Sequence, residues 1–126
     1  MSHYTYLAFH NNKTFKVGHS HRVFERVTVD QANSSNCFLC VRCEHDDKSE
    51  AKEVEKTVKR ILDTQRIKNA QCKEWFHIRP KSLRLLDRVL KAMGASFEIA
   101  VGIGVKSGTT WDAYTLKETK KIIKKV

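Results

Sequence analysis

A β-hairpin pattern near the start of the chain constrains the fold most. The segment His3–His10 alternates and is rich in aromatic residues, which is typical of a β-strand. Asn11-Asn12 is a favourable tight-turn pair, and Thr14–Val17 supplies the returning strand. We therefore predict a hairpin that ends at Gly18, with His19–His21 in the turn that follows.

Two later segments have the signature of amphipathic helices. Within Ser49–Thr64, apolar residues recur at helical spacing and charged residues face the other way. Asp47, followed by Glu50 three residues later, has the character of a capping box before this helix. A second amphipathic helix follows Pro80 and is stopped by Gly94. We expect both helices to pack on the sheet.

The remaining elements complete an α+β order. They are a helix from Arg22 to about Ala32, strands at Cys37–Glu44, Glu74–Ile78 and Phe97–Val105, a loop over residues 106–111 and a basic helix near Leu116–Lys125. We expect a small mixed or antiparallel sheet, built from the hairpin plus a third strand and packed with helices. Residues 1–93 would form the main domain, and residues 94–126 a basic C-terminal βα extension packed on it.

The charge of the chain favours a polyanionic partner. Its 126 residues include 24 Lys and Arg against 14 Asp and Glu, a formal net charge of +10. Basic side chains bind phosphates by releasing condensed counterions, so a nucleic acid, either DNA or RNA, is the expected partner. No apolar run approaches the length of a membrane span, and the start lacks a signal peptide's long apolar region. We expect no membrane partner and a cytoplasmic location, or the host-cell cytoplasm or nucleus if the protein is viral.

The stretch Phe15–Arg26 collects cations and imidazoles in one place. A strand that ends at Gly18 would deliver the histidines, including His19, into a turn. A helix that begins near Arg22 would carry Arg26 back over that turn. Together with Lys16, these residues have the chemistry of a phosphate-binding site.

The four cysteines are candidate metal ligands or free thiols. The spacing of Cys37, Cys40 and Cys43 resembles half of a zinc knuckle, and Cys72 or His77 could supply a fourth ligand. Strand alternation, however, would place Cys40 on the opposite face from the other two. No Gly or Pro provides the turn that a knuckle needs, so free thiols are the preferred interpretation, with a zinc-stabilised interaction module as the alternative.

Glu55 occupies the edge of the apolar stripe of the long helix. Its neighbours at helical spacing are Ala51, Val58 and Leu62. From spacing alone, such a carboxylate is an ordinary ion-pair partner, and Arg26 would be the obvious cation.

The order of these residues along the chain resembles the GIY-YIG nuclease superfamily. Tyr4-Thr5-Tyr6 occupies the GIY position and Lys16-Val17-Gly18 the YIG position. Arg26 falls at the arginine of the family, and Glu55 at its metal-binding glutamate. The resemblance implies a GIY-YIG-like α+β fold and the hydrolysis of phosphodiester bonds in DNA.

The closer likeness is to a phage- and virus-encoded branch of that superfamily. This branch carries a K-[IV]-G core, a later E-x-x-[LV]-[HK] helix and a terminal E-W-F. Here these motifs are Lys16-Val17-Gly18, Glu55–Lys59 and Glu74-Trp75-Phe76. The resemblance covers roughly residues 4–78.

The resemblance also implies a role for each site residue. Glu55 would bind one Mg²⁺ or Mn²⁺ ion weakly, with water as the other ligands. Tyr6 would position or deprotonate the attacking water, and Arg26 would hold the scissile phosphate. Lys16 would hold a phosphate or share proton transfer with Tyr6, and His19 would be a secondary proton-transfer or phosphate-binding group.

Two departures from the family pattern leave a second function open. Tyr4 stands at the first glycine of GIY, and Lys16 at the tyrosine of YIG. The alternative is a catalytically inactive protein of the same fold that binds nucleic acid or regulates a host or viral complex. Further nucleic-acid contacts are expected from cations in both halves of the chain and from stacking aromatics near the C-terminus: Lys16, Arg22, Arg26, Lys120, Lys121, Lys124, Trp111 and Tyr114.

Overall fold

The computed structural model describes residues 2–11, 13–28, 37–67, 75–101 and 110–125. The strands are β1 His3–His10, β2 Thr14–Ser20, β3 Cys37–His45, β4 Trp75–His77, β5 Ser96–Val101 and β6 Asp112–Thr115. The helices are α1 Val23–Thr28, α2 Lys48–Ile61, α3 Pro80–Met93 and α4 Leu116–Lys124, and a 3-10 turn spans Asp63–Gln65. None of the helices in the described ranges is long and apolar enough to cross a membrane.

The six strands form one antiparallel sheet in the order β4-β2-β1-β3-β5-β6. This confirms the predicted α+β class. The sheet is larger than the predicted hairpin plus third strand, because β4 joins one edge and β5 and β6 join the other. The strand β6 was not predicted, because its residues lie between the predicted loop at 106–111 and the predicted helix that begins near Leu116. Three of its four side chains are exposed, so it has no apolar alternation and is held by main-chain pairing with β5.

Helices cover both faces of the sheet. Side chains such as Leu7, Phe9 and Val17 point to the face covered by α2, α3 and α4, where the larger core cluster lies. The alternate residues Tyr6 and Ala8 point to the other face, beneath the short helix α1. Because strand side chains alternate between faces, the register of the hairpin decides which site residues can meet.

Gly18 does not end the second strand as the sequence predicted. The strand continues to Ser20, and Gly18 pairs with Tyr6 across the hairpin. A Cβ atom at Gly18 would lie 2.5 Å from the hydroxyl oxygen of Tyr6, a distance that real Cβ atoms essentially never show. The glycine therefore makes room for the tyrosine ring, and His19 lies in the strand, paired with Thr5.

The ends of the helices agree in part with the prediction. The side chain of Asp47 accepts a hydrogen bond from the backbone N–H of Glu50 at 2.8 Å and caps α2, as predicted. Helix α2 ends at Ile61, and the 3-10 turn replaces the predicted last turn. Gly94, with φ of 155°, ends α3. The predicted end of α1 near Ala32 lies outside the described residues.

The cysteine prediction was wrong about Cys37. A register irregularity between Phe9 and His10 shifts the pairing of β1 with β3. As a result Cys37 packs in the same cluster as Cys40, beneath α1, whereas Cys43 packs in the cluster on the other face.

Burial governs the chemistry of these thiols. It raises the pKa of Cys37 to about 12 and that of Cys43 to about 11, and it raises the pKa of Cys40 well above its usual value. The thiol of Cys43 also donates to the carbonyl oxygen of Met93 at 3.0 Å. Cys72 lies outside the described residues.

Candidate active site

His19 lies at the centre of the candidate site. His19 lies on β2 and pairs with Thr5 of β1. Its ring therefore points to the face of the sheet that α2 covers. Its Nδ1 atom lies 3.0 Å from Nε2 of His3, and its Nε2 atom lies 3.6 Å from Oε2 of Glu55. The second distance is longer than a hydrogen bond, so Nε2 can exchange a proton with a water or phosphate oxygen placed beside it.

Glu55 is held at the edge of the core, as its helical spacing predicted. The side chain is buried, and the ammonium group of Lys59, one turn later on α2, donates to Oε1. Oε2 is buried without a hydrogen-bond partner among the described residues and faces His19. The expected partner, Arg26, lies instead on α1, which packs against the opposite face of the sheet.

The donor set around Glu55 fits at most a weakly held hard cation. Within the described ranges, no three His, Cys, Asp or Glu side chains gather closely enough to hold a metal ion. A single carboxylate oxygen can still bind Mg²⁺, because this ion keeps most of its water ligands. Oε2 of Glu55 has the required chemistry, while Oε1 is already engaged by Lys59.

The two contacting histidines are neutral at neutral pH. Burial is the main cause that lowers the pKa of His19 below 6.5, and nearby lysines of α2 lower it further against the opposing effect of Glu55. Burial also lowers the pKa of His3, followed by the effects of His19, His21 and Lys48. In a hydrogen bond between two neutral imidazoles, one ring donates and the other accepts. Contact with His3 therefore orients the ring of His19 and selects its tautomer.

Tyr6 and Arg26 face a pocket on the other side of His19. The Tyr6 ring is 1% exposed and packs over Gly18 beneath α1. Arg26 is exposed on α1 and lines the same pocket. The remaining lining residues are His3, Gly18, His19, Ser20, His21 and Lys48.

A cleft on the α2 side adjoins this pocket. It is lined by His19, by Glu53 and Glu55, and by three lysines of α2, Lys52, Lys56 and Lys59. His19 belongs to both the pocket and the cleft. The structure thus brings Tyr6, Arg26 and Glu55 around the imidazole of His19, with the tyrosine and arginine on one side and the glutamate on the other.

Lys16 and Arg22 stand beside the pocket without being among its lining residues. Lys16 pairs with Ala8, so it shares the α1 face with Tyr6, and it is buried. Arg22 is exposed just before α1, and its backbone N–H donates to the hydroxyl of Ser20 at 2.9 Å.

The predicted contacts near the C-terminus lie away from this site. Helix α4 packs against α3, β5 and β6, at the other end of the sheet from β2. Lys120 contacts Asp87 on α3 at 2.5 Å, whereas Lys121 and Lys124 are both exposed to solvent on α4. Tyr114 packs against the larger core cluster.

Trp111 is engaged with a cation of the sheet. The guanidinium group of Arg42 lies 4.0 Å from the ring centre of Trp111 and 4.2 Å from that of Tyr4. The same arginine forms an ion pair with Glu98 at 3.1 Å. One face of the Trp111 ring is therefore occupied by a cation–π contact.

Sequence reasoning missed His3 and the lysines of α2. His3 would have been found from the hairpin register, because the pairing of Thr5 with His19 places His3 diagonally next to His19. The prediction that the strand ends at Gly18 left His19 outside the hairpin, so its position next to His3 was missed. Lys48, Lys52, Lys56 and Lys59 recur at helical spacing, and that signal was available in the sequence.

Comparison with protein families found one match. The T5orf172 domain matches residues 2–94, from the start of β1 to the residue that caps α3. Comparison with curated proteins and with solved structures found no match.

Proposed function

Because the chain belongs to the T5orf172 domain family, a phage-associated domain related to nucleases of the GIY-YIG and HNH types, we propose that it is a small metal-dependent DNA endonuclease. The observation that carries this proposal is the position of His19 between an arginine- and tyrosine-lined pocket and the carboxylate of Glu55. The net charge of +10 supports a polyanionic substrate. The GIY-YIG type of nuclease, with its Tyr, Lys, Arg and Glu residues, is the specific form that we propose.

In this proposal Glu55 holds the metal ion through Oε2. The ion, Mg²⁺ or Mn²⁺, would supply electrostatic stabilisation of the negative charge that develops on the phosphate and the leaving oxygen. Lys59 orients the carboxylate through its charge-assisted bond to Oε1. With one protein ligand, metal binding is weak and depends on added metal in solution.

The remaining residues bind the phosphate and move protons. Arg26, exposed at the rim of the pocket, donates charge-assisted hydrogen bonds to the scissile phosphate. The Tyr6 hydroxyl, over Gly18, positions the attacking water. His19 exchanges a proton with a water or leaving-group oxygen through Nε2, and His3 positions its ring. Lys16, buried on the Tyr6 face, contributes positive charge beside this hydroxyl.

A specific observation supports the alternative function. The ammonium group of Lys59 already neutralises Glu55 in the described structure, and Lys16 stands where the related nucleases carry a tyrosine. A protein with the same basic pocket and no metal at Glu55 would bind nucleic acid or regulate a host or viral complex without cutting DNA.

Cleavage assays separate the two functions. Supercoiled plasmid and labelled oligonucleotides of DNA and RNA are incubated with the protein in Mg²⁺, in Mn²⁺ or in excess EDTA. The nuclease proposal predicts nicking of DNA with either metal and none with EDTA. If the protein binds DNA but does not nick it with any metal or at any pH, the catalytic proposal is wrong and the binding function remains. Binding itself should weaken steeply as salt is raised.

A further inference from the structure

Helix α2 carries a stripe of four lysines, Lys48, Lys52, Lys56 and Lys59, hereafter the lysine stripe. With 3.6 residues per turn, the spacings of four, four and three place these residues within about 80° of the helix circumference. At 1.5 Å per residue, the lysine stripe extends over roughly 16 Å. Glu50 and Glu53 lie about 140–160° away from Lys48 around the same helix. The third carboxylate of α2, Glu55, lies on the side of the lysine stripe and pairs with Lys59.

The lysine stripe runs along the candidate site, from the pocket to the cleft. Lys48 lines the pocket that contains Tyr6 and Arg26. Lys52, Lys56 and Lys59 line the cleft that contains Glu55. Lys48, Lys52 and Lys59 each lower the pKa of His19, which shows that their charges reach the centre of the site.

The positive charges of the lysine stripe are poorly compensated within the protein. Like charges four residues apart destabilise a helix by about 0.2–0.5 kcal/mol per pair. Lys48, Lys52 and Lys56 are exposed, and in the part of the chain that the structure describes none of them forms an ion pair. A row of exposed, mutually repelling ammonium groups beside a phosphate site fits a bound polyanion better than it fits a role in stability.

We propose that the lysine stripe binds the phosphate backbone of the DNA strand where it passes the His19 site. This inference rests on the proposed function, since it assumes a nucleic-acid substrate in the adjoining pocket. Neighbouring lysines lie about 6 Å apart along the helix, and phosphates of one B-DNA strand lie about 3.4 Å apart along its axis. The lysine stripe therefore has the axial length of roughly five phosphates of one strand. Lysine acts as a point charge and reads no bases, so the contact is independent of sequence.

Salt-dependent binding tests this assignment. The variant Lys52→Gln/Lys56→Gln removes two exposed charges from the lysine stripe and keeps Lys59, the partner of Glu55. The control Lys13→Asn/Lys81→Gln removes two exposed charges from the other end of the hairpin and the start of α3. Asparagine is chosen because residue 13 has φ of 65°, which asparagine tolerates. The affinity of each protein for a labelled DNA duplex is measured over a range of salt concentrations, after thermal unfolding shows that all are folded.

The expected result is a change in slope that only the stripe variant shows. In a plot of log affinity against log salt concentration, each lost phosphate contact reduces the magnitude of the slope by about 0.9. The magnitude of the slope should therefore fall by about 1.8 for the stripe variant and should hardly change for the control. If the slope changes by the same amount in both double variants, or changes in neither, the lysine stripe is not the contact surface. If polyglutamate competes with DNA equally per charge, an acidic protein partner replaces nucleic acid and the assignment is overturned.

Failure of the proposed function would look different. A wild-type protein that binds no DNA at low salt would overturn the nucleic-acid function itself, and the lysine stripe with it. A wild-type protein that binds and cuts DNA, while the stripe variant keeps the wild-type salt slope, would leave the function intact and overturn this inference alone.

Discussion

His3 holds His19 through a side-chain contact of 3.0 Å between its Nε2 atom and Nδ1 of His19. The contact follows from the hairpin register, which pairs Thr5 with His19 and so brings the first residue of β1 beside the end of β2. A residue near the N-terminus thereby orients the imidazole that separates the two halves of the candidate site. The contact gives His3 a positioning role that can be tested apart from substrate binding.

Replacing His3 should slow cleavage without weakening DNA binding. The change His3→Ala removes about one hydrogen bond from the ring of His19, which corresponds to a rate loss of roughly tenfold. The measurement is the single-turnover cleavage rate at saturating protein, with the affinity for DNA measured in parallel. The control His3→Gln keeps a polar group near the position of Nε2 and should recover part of the rate. A His3→Ala protein that cuts at the wild-type rate would show that His3 has no positioning role.

A methyl group at Gly18 should destabilise the protein. In Gly18→Ala the new Cβ would meet the Tyr6 ring at 2.5–2.8 Å, so we expect a loss of about 1–3 kcal/mol in the free energy of unfolding. Urea denaturation measures this loss. The single variant Tyr6→Leu and the double variant Gly18→Ala/Tyr6→Leu are measured in the same way. Because the clash is relieved in the double variant, its loss of unfolding free energy should be smaller than the sum of the losses of the two single variants. Strict additivity would contradict the close approach of residues 6 and 18.

Acidification should destabilise the protein below about pH 6.5. Burial lowers the pKa of both His3 and His19, so in this range the unfolded chain binds more protons than the folded chain. The contribution is fully present above the unfolded pKa of about 6.5 and is lost as the pH falls toward the folded values. The charged or titratable neighbours of His3 are His19, His21, His45 and Lys48.

Urea denaturation at several pH values between about 8 and 5 measures this effect, and His3→Gln should reduce the dependence on pH. A free energy of unfolding that rises as the pH is lowered from 7 would contradict the direction of both pKa shifts.

The three described cysteines should resist alkylation in the folded protein. Burial raises the pKa of Cys37 to about 12 and of Cys43 to about 11, and Cys40 is completely buried, so few thiolates form at pH 8. Treatment with iodoacetamide, followed by mass spectrometry of peptides, should label these residues only after unfolding in guanidinium. Rapid labelling of Cys43 in the native protein would contradict its burial. Zinc released on unfolding, measured with a chelating dye, would instead support the zinc-module alternative.

The elements with strong local periodicity were predictable from sequence. The hairpin and α2 have clear patterns with periods of two and 3.6 residues, and the position of Glu55 at the edge of the core follows from its spacing along α2. The strand β6 was not predictable, because its side chains are mostly exposed and its pairing with β5 is made by main-chain atoms.

The errors came from interactions between strands. In the sequence Gly18 predicts the end of a strand. In the structure it lies within the strand, and its missing side chain leaves space for the ring of Tyr6 across the hairpin. The side of the sheet on which Cys37 lies depends on a bulge between β1 and β3. His3 joins the candidate site only through the register of β1 and β2. Local sequence patterns carry no information about such cross-strand geometry.

The most direct test of the account compares two isosteric changes on α2. Glu55→Gln removes the buried carboxylate that faces His19. Glu50→Gln removes an exposed carboxylate of the same helix that lines neither the pocket nor the cleft, and it changes the net charge equally. The single-turnover rate of DNA cleavage in Mg²⁺ is measured for both variants and for the wild type. We predict that Glu55→Gln lowers the rate by at least about 100-fold while DNA binding is retained, and that Glu50→Gln cuts at close to the wild-type rate. Equal cleavage by Glu55→Gln and the wild type would show that phosphodiester hydrolysis does not take place at this site.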